Sequence, residues 1–164
     1  MLDLGGLLKL VHALVGVWFM AGLIGRWVTL GQAARATDIH ALRAMLVVSG
    51  QFEWQVRVSS LLVLILGIAT AVAQGRPFLG PLQNAGVDWL FVSLALYLSV
   101  LPLIPLVFLP RGRRFEAALV DASAVGIVTD RLRAAFREPV VFAAHVYELG
   151  VMVVILGLMI AKPF

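Results

Sequence analysis

Four stretches of this chain are each long and apolar enough to cross a lipid bilayer, and that limits the fold more than any motif does. A helix needs about 20 apolar residues to span roughly 30 Å of hydrocarbon. The stretches run from Leu4 to Leu30, Trp54 to Ala73, Asp88 to Leu109 and Val140 to Ala161. Backbone groups in hydrocarbon must be satisfied internally, so each stretch is read as an α-helix. The expected fold is all-α: a polytopic membrane protein built as an antiparallel four-transmembrane-helix bundle, one domain over residues 1–164. Composition agrees, with 62% apolar and 13% charged residues. A soluble domain runs near 45–50% and about 25%. An ordinary soluble enzyme, a disulfide scaffold and a disordered chain are thereby excluded. The first stretch lacks a basic n-region and is too long for a signal peptide, so it is expected to stay as the first span.

The connections are marked by turn residues. Gly75, Pro77, Gly80, Pro81, Asn84 and Gly86 make a short loop between spans two and three. Pro110 and Gly112 are expected to close the third span, and Pro139 to open the fourth. Residues 113–138 form the one long polar segment, a helical cytoplasmic loop between spans three and four. Within it Phe115–Ala124 reads as helix, and Thr129 is placed to cap a second short helix carrying Leu132, Ala135 and Phe136. Pro102 and Pro105 should bend the third span and leave freed carbonyls for neighbouring helices to shield.

Charge sets the expected orientation. Ten of the thirteen Lys and Arg residues flank the first and third loops: Arg26, Arg35, Arg43, Arg57, Arg111, Arg113, Arg114, Arg131, Arg133 and Arg137. Lys9, Arg76 and Lys162 remain for the other side. By the positive-inside rule the first and third loops are cytoplasmic and both termini lie outside. The same rule accounts for the net charge of +4 without nucleic acid, for which no aromatic-basic platform is present. His40 reads as a residue of the first loop. Trp18, Trp27, Trp54 and Trp89 read as interfacial anchors.

Ionisable groups inside spans are costly and face the bundle interior. Lys9, His12, Phe19 and Arg26 recur on one face of the first span. Glu53, Arg57, Ser60, Gly67 and Ala71 form a seam on the second, and His145, Glu148, Met152 and Met159 one on the fourth. Arg26, Glu53, Arg57, His145 and Glu148 fall at comparable depth and are expected to form an interior polar network that fixes helix register. His12 and Lys9 belong to a second level, because His12 lies 14 residues from Arg26, about 21 Å along a helix. A haem held by His12 and His145 together is therefore disfavoured, whereas a haem on His12, alone or with a non-histidine second ligand, stays open. No cysteine is present, which removes thiolate chemistry and thiolate metal sites. No P-loop, G-x-S-x-G or H-E-x-x-H appears, and His145-x-x-Glu148 is a single reversed half of a di-iron motif. No catalytic and no metal-ligating set is assigned.

Three stretches carry a family resemblance: the opening LLKLVHALVGVWFMAG, the loop GIVTDRLRAAFREPVVFAAHVYE and the ending LMIAKPF. Together they resemble the bacterial predicted integral membrane proteins grouped as domain of unknown function 2269, over essentially the whole chain. That group is distantly similar to copper-resistance D-type membrane proteins and to haem-containing protoporphyrinogen oxidases. The latter carry Lys-x-x-His near the start of the first helix, matched here by Lys9 and His12, then aromatic positions filled by Trp18 and Phe19 and a glycine at Gly22. Their Asn-Glu-x-Pro motif reads here as Arg137-Glu138-Pro139. The resemblance implies residence in the bacterial inner membrane and makes His12 a candidate haem b ligand, with Lys9 beside it.

The first functional expectation is a small non-enzymatic membrane protein, an accessory or interaction subunit that meets lipid and other membrane subunits. The second is a haem b- or porphyrin-binding redox protein using His12. The third is an ion- or proton-handling transporter built on the interior network; it lacks the paired broken helices such transporters use.

Overall fold

Single side chains decide where the helices begin. Asp3 accepts from the Gly6 N–H at 2.8 Å and starts α1 (Leu4–Arg35). Asp38 accepts from Ala41 at 2.8 Å and starts α2 (Ile39–Ala73), and Asp88 accepts from Phe91 at 2.9 Å ahead of α3 (Trp89–Val100). The computed structural model, which describes residues 3–163, continues with α4 (Leu109–Val125), α5 (Asp130–Phe136) and α6 (Pro139–Ala161). Phe164, the last residue of the quoted ending, lies outside the described residues, as do Met1 and Leu2. Thr129 caps α5 through the Leu132 N–H at 3.3 Å, as the sequence predicts. Each such cap contributes about 1 kcal/mol by satisfying an orphan N–H of the first turn. α4 stops at Gly126, whose φ of 77° is left-handed and strains any residue with a Cβ.

Among the described residues four helical rods are long and apolar enough to cross a membrane: Leu4–Arg35, Ile39–Ala73, Trp89–Val125 and Asp130–Ala161. No strand occurs among them, so the protein is all-α. Two expectations about their ends are corrected. The first loop is only Ala36–Asp38, and His40 sits in the first turn of α2 rather than in a loop. Residues 39–53 contain no proline and one glycine, and their Ile39 and Leu42 have a buried face to occupy, so helix persists. Pro110 and Gly112 do not end the third helix either. Pro110 falls within the first two positions of α4, its missing N–H frees only the Leu106 carbonyl, and the chain stays helical to Val125.

The intervening prolines act differently from expectation as well. Ile104–Phe108 forms a widened π-helical turn, closed by the Leu109 N–H on the Ile104 carbonyl. The carbonyls that Pro102, Pro105 and Pro110 cannot serve belong to Leu98, Leu101 and Leu106. The first two accept from Leu101 N–H at 3.3 Å and Ile104 N–H at 3.1 Å, and Leu106 O accepts from the Arg111 guanidinium at 3.3 Å. Local rearrangement, not a neighbouring helix, satisfies them.

The rods pair as two antiparallel hairpins. α1 lies along α2 and α3 along α6, with far less contact between the pairs. All four meet in one apolar layer at mid-bundle, formed by Phe19, Leu23, Val56, Val100, Val151 and Met152. A second core lies at the arginine-rich end, opposite the termini. There Ile39 and Leu42 of α2 pack on Ala118, Ala122 and Leu132, and Phe115 meets Phe136 edge-on at 4.9 Å. The α1–α2 contact is close: a Cβ on Gly25 would sit 2.4 Å from the Phe52 ring, whereas one on Gly31 would meet nothing within 4 Å. Gly25→Ala is therefore expected to cost about 1–3 kcal/mol through overpacking. Gly31→Ala is expected to be neutral or stabilising by about 0.5–1 kcal/mol. Thermal unfolding of the two variants in mild detergent checks the contrast; equal melting temperatures would contradict the packing described.

Candidate functional site

Two polar levels flank the mid-bundle layer. The first is built on Arg26, nine residues before the Arg35 end of α1 and 7% exposed. Its Nη1 donates to Glu53 Oε2 of α2 at 2.8 Å, and its Nη2 donates to Glu148 of α6. One guanidinium thus bridges three helices, joining the two hairpins. Glu53 Oε1 also accepts from Arg57 Nε at 3.3 Å, an i,i+4 pair whose arginine is exposed. His145 is held otherwise: its ring packs at a tilt of 42° against Phe108, centroids 4.9 Å apart, and the Phe108 centroid in turn lies 5.8 Å from the Arg26 guanidinium carbon. Of the five residues assigned to this network, the structure joins Arg26, Glu53 and Glu148 directly, hangs Arg57 on its edge and places His145 behind an aromatic ring. Phe108 was not foreseen. Its position depends on the π-helical turn, which apolar spacing alone does not reveal.

Removing one member of a buried ion pair leaves an uncompensated charge and costs about 3–5 kcal/mol, while replacing the whole set by neutral groups is close to neutral. Arg26→Met should accordingly lower the melting temperature sharply. Arg26→Met combined with Glu53→Gln and Glu148→Gln should recover most of the loss. A triple variant no more stable than Arg26→Met would show that Arg26 matters through packing rather than charge.

The second level lies toward the end carrying the termini. Here the hairpins part and leave a cleft of about 520 Å³ lined by all four rods. Its walls are mostly apolar, with Phe19, Met20, Val63, Leu94, Met152 and Ile155 among them. His12 projects from α1 against α2 at Gly67, where a Cβ would stand 3.1 Å from the imidazole Cε1, so the glycine makes room for the ring. The buried Nδ1 of His12 has no hydrogen-bond partner. Lys9, Arg76 and Lys162 also line the cleft. Arg76 and Lys162 both address the Trp89 ring, at 5.8 and 5.7 Å from its centroid. Trp89 is 8% exposed, so it is a wall residue of the cleft rather than the interfacial anchor expected. Across the same end the Tyr97 hydroxyl donates to the Ser60 carbonyl at 2.8 Å, tying α3 to α2.

His12 and Lys9 thus share one cleft, and His145 does not line it. The depth difference read from residue counting separates the two histidines into different layers. Of the thioethers that face the same space as His12, Met152 and Met159 lie on the fourth-span seam read from spacing, whereas Met20 was not singled out. Among the described residues no group of three or more His, Cys, Asp or Glu side chains is arranged to hold a metal ion.

A family model described as "Predicted integral membrane protein (DUF2269)" matches residues 6–163. The chain belongs to this family. No curated protein and no solved structure matches it at a significant level. As a DUF2269 protein it is an integral membrane protein, and its apolar rods are read as spans within a lipid bilayer.

Proposed function

We propose that the chain is a non-enzymatic accessory protein of the bacterial inner membrane that holds a small amphiphile inside its bundle. The observation that carries this reading is the cleft of about 520 Å³, within the range of ligand pockets, lined by apolar side chains with a few polar groups at one end. The Arg26 layer then serves as structure. Its charges are consumed by one another, and the packed layer of Phe19, Leu23, Val56 and Val151 stands between it and the cleft, which argues against an ion path joining the two levels. Native mass spectrometry of protein extracted in mild detergent tests the reading. A small bound mass is expected in the wild type and not in Gly16→Phe, because Gly16 lines the cleft and a Cβ there meets nothing within 4 Å. Equal occupancy in both, or none in either, would overturn it.

A haem b fits as one occupant because His12 and three cations line the same cleft. His12 would hold the group through a ring nitrogen, with Met20, Met152 or Met159 as further sulfur donors and Lys9, Arg76 and Lys162 as partners for its propionates. Bound there, haem would supply one-electron chemistry. Protein purified from haem-replete cells should then show a reducible Soret band that His12→Ala abolishes; a colourless preparation rules haem out.

The orientation we propose puts the arginine-rich end in the cytoplasm, following the positive-inside rule. The chain contains no cysteine, so single cysteines report sidedness directly. A cysteine at Gln83 should react with an impermeant maleimide in intact spheroplasts, and one at Arg114 only after lysis. The reverse pattern would invert the assignment.

A further inference from the structure

We infer that the cleft selects amphiphiles by a carboxylate head, bound between Lys9, Arg76 and Lys162 with the apolar body lying inward toward Phe19. This rests on the cleft being a ligand site and specifies its ligand. Three observations carry it.

The first is charge without counter-charge. Among the described residues five ion pairs form, and none includes Lys9, Arg76 or Lys162. The acids nearest to them in sequence are committed elsewhere, Asp3 to the Gly6 N–H and Asp88 to the Phe91 N–H. Three cations from three separate segments therefore line one cleft with no carboxylate of the described chain paired to them.

The second is their placement. Arg76 follows α2 and Lys162 follows α6, yet both lie over the one Trp89 ring. The ring's π-face attracts each cation, so two like charges are drawn to one indole, and an anion entering the cleft is attracted by both. Lys162 is in addition held in a left-handed backbone conformation, with φ of 44°. An arginine fork and an ammonium are each suited to a carboxylate oxygen.

The third is the shape behind the cations. From Lys9 to Phe19 the α1 wall runs ten residues, about 15 Å. It faces Val63, Leu94 and Ile155, so the ligand carries its charge at one end only. A volume of about 520 Å³ is on the scale of one acyl chain or one tetrapyrrole.

The test uses the full chain in nanodiscs of neutral lipid, with two probe pairs: cis-parinaric acid against its methyl ester, and protoporphyrin against its dimethyl ester. Gly16→Phe supplies the background of partition into lipid. The acid of at least one pair should bind about tenfold or more tighter than its ester, the scale of a charge-assisted contact. Combined Lys9→Gln, Arg76→Gln and Lys162→Gln should remove that preference and leave ester binding unchanged. The three side chains belong to exposed residues outside both apolar cores, so the variant is expected to fold, and its unchanged melting temperature shows that it has. Preference for parinarate identifies a fatty acyl ligand, and preference for protoporphyrin a tetrapyrrole. Acid and ester binding equally above background overturns the carboxylate selection while leaving the cleft a ligand site. No probe binding above background overturns both.

Discussion

The arrangement of the bundle depends on one guanidinium shared by two carboxylates. α1 and α2 are neighbours in sequence and pack along their length without help, and α3 and α6 form a second pair. Little else polar joins the pairs except Arg26, which reaches Glu53 within its own hairpin and Glu148 in the other, and the Tyr97–Ser60 hydrogen bond. A charge trio in low dielectric contributes little net stability, because desolvation offsets most of the Coulomb gain. What it contributes is choice of geometry. A hairpin slid by a turn would strand a charge in an apolar environment, so the trio sets the depth at which the hairpins meet. Apolar packing at Phe19 and Met152 follows from that register.

The same constraint explains why the cleft lies where it does. With the hairpins fastened at the Arg26 level and packed at mid-bundle, the remaining length toward the termini is tied between the pairs by one neutral hydrogen bond, Tyr97 to the Ser60 carbonyl, and by no ion pair among the described residues. The two hairpins part there, and the cations of three segments face the resulting space. The polar end and the open end are thus two outcomes of a single join.

Much of the fold was legible in the sequence because its signals are local. Thr129 starts a helix through its own side chain, and apolar runs of membrane length need no partner to be recognised. The short first loop and the continuation past Pro110 were misread for one reason: both segments are helical because Ile39, Leu42, Ala118 and Ala122 bury one another, and that partnership lies between segments far apart in sequence. The site divides in the same way. Facing stripes brought Arg26, Glu53 and Glu148 into view, since periodicity reports a face. Phe108 beside His145, and Trp89 under Arg76 and Lys162, depend on where turns redirect the chain, and no spacing rule reports that.

The widened turn at Ile104–Phe108 has a consequence for how the two cores are coupled. A π-helical turn accommodates one residue more than an α-turn, so everything after it is rotated by about 100° relative to an uninterrupted helix. Before the turn the rod presents Ser93 and Val100 to the bundle; after it, Ala118 and Ala122 to α2 and α5. The turn is a phase adjuster between two cores strung on one rod. Loss of a single residue there would leave each core intact as a composition yet aim one of them away from its partner, so this stretch of otherwise unremarkable apolar residues has its length constrained more tightly than its chemistry.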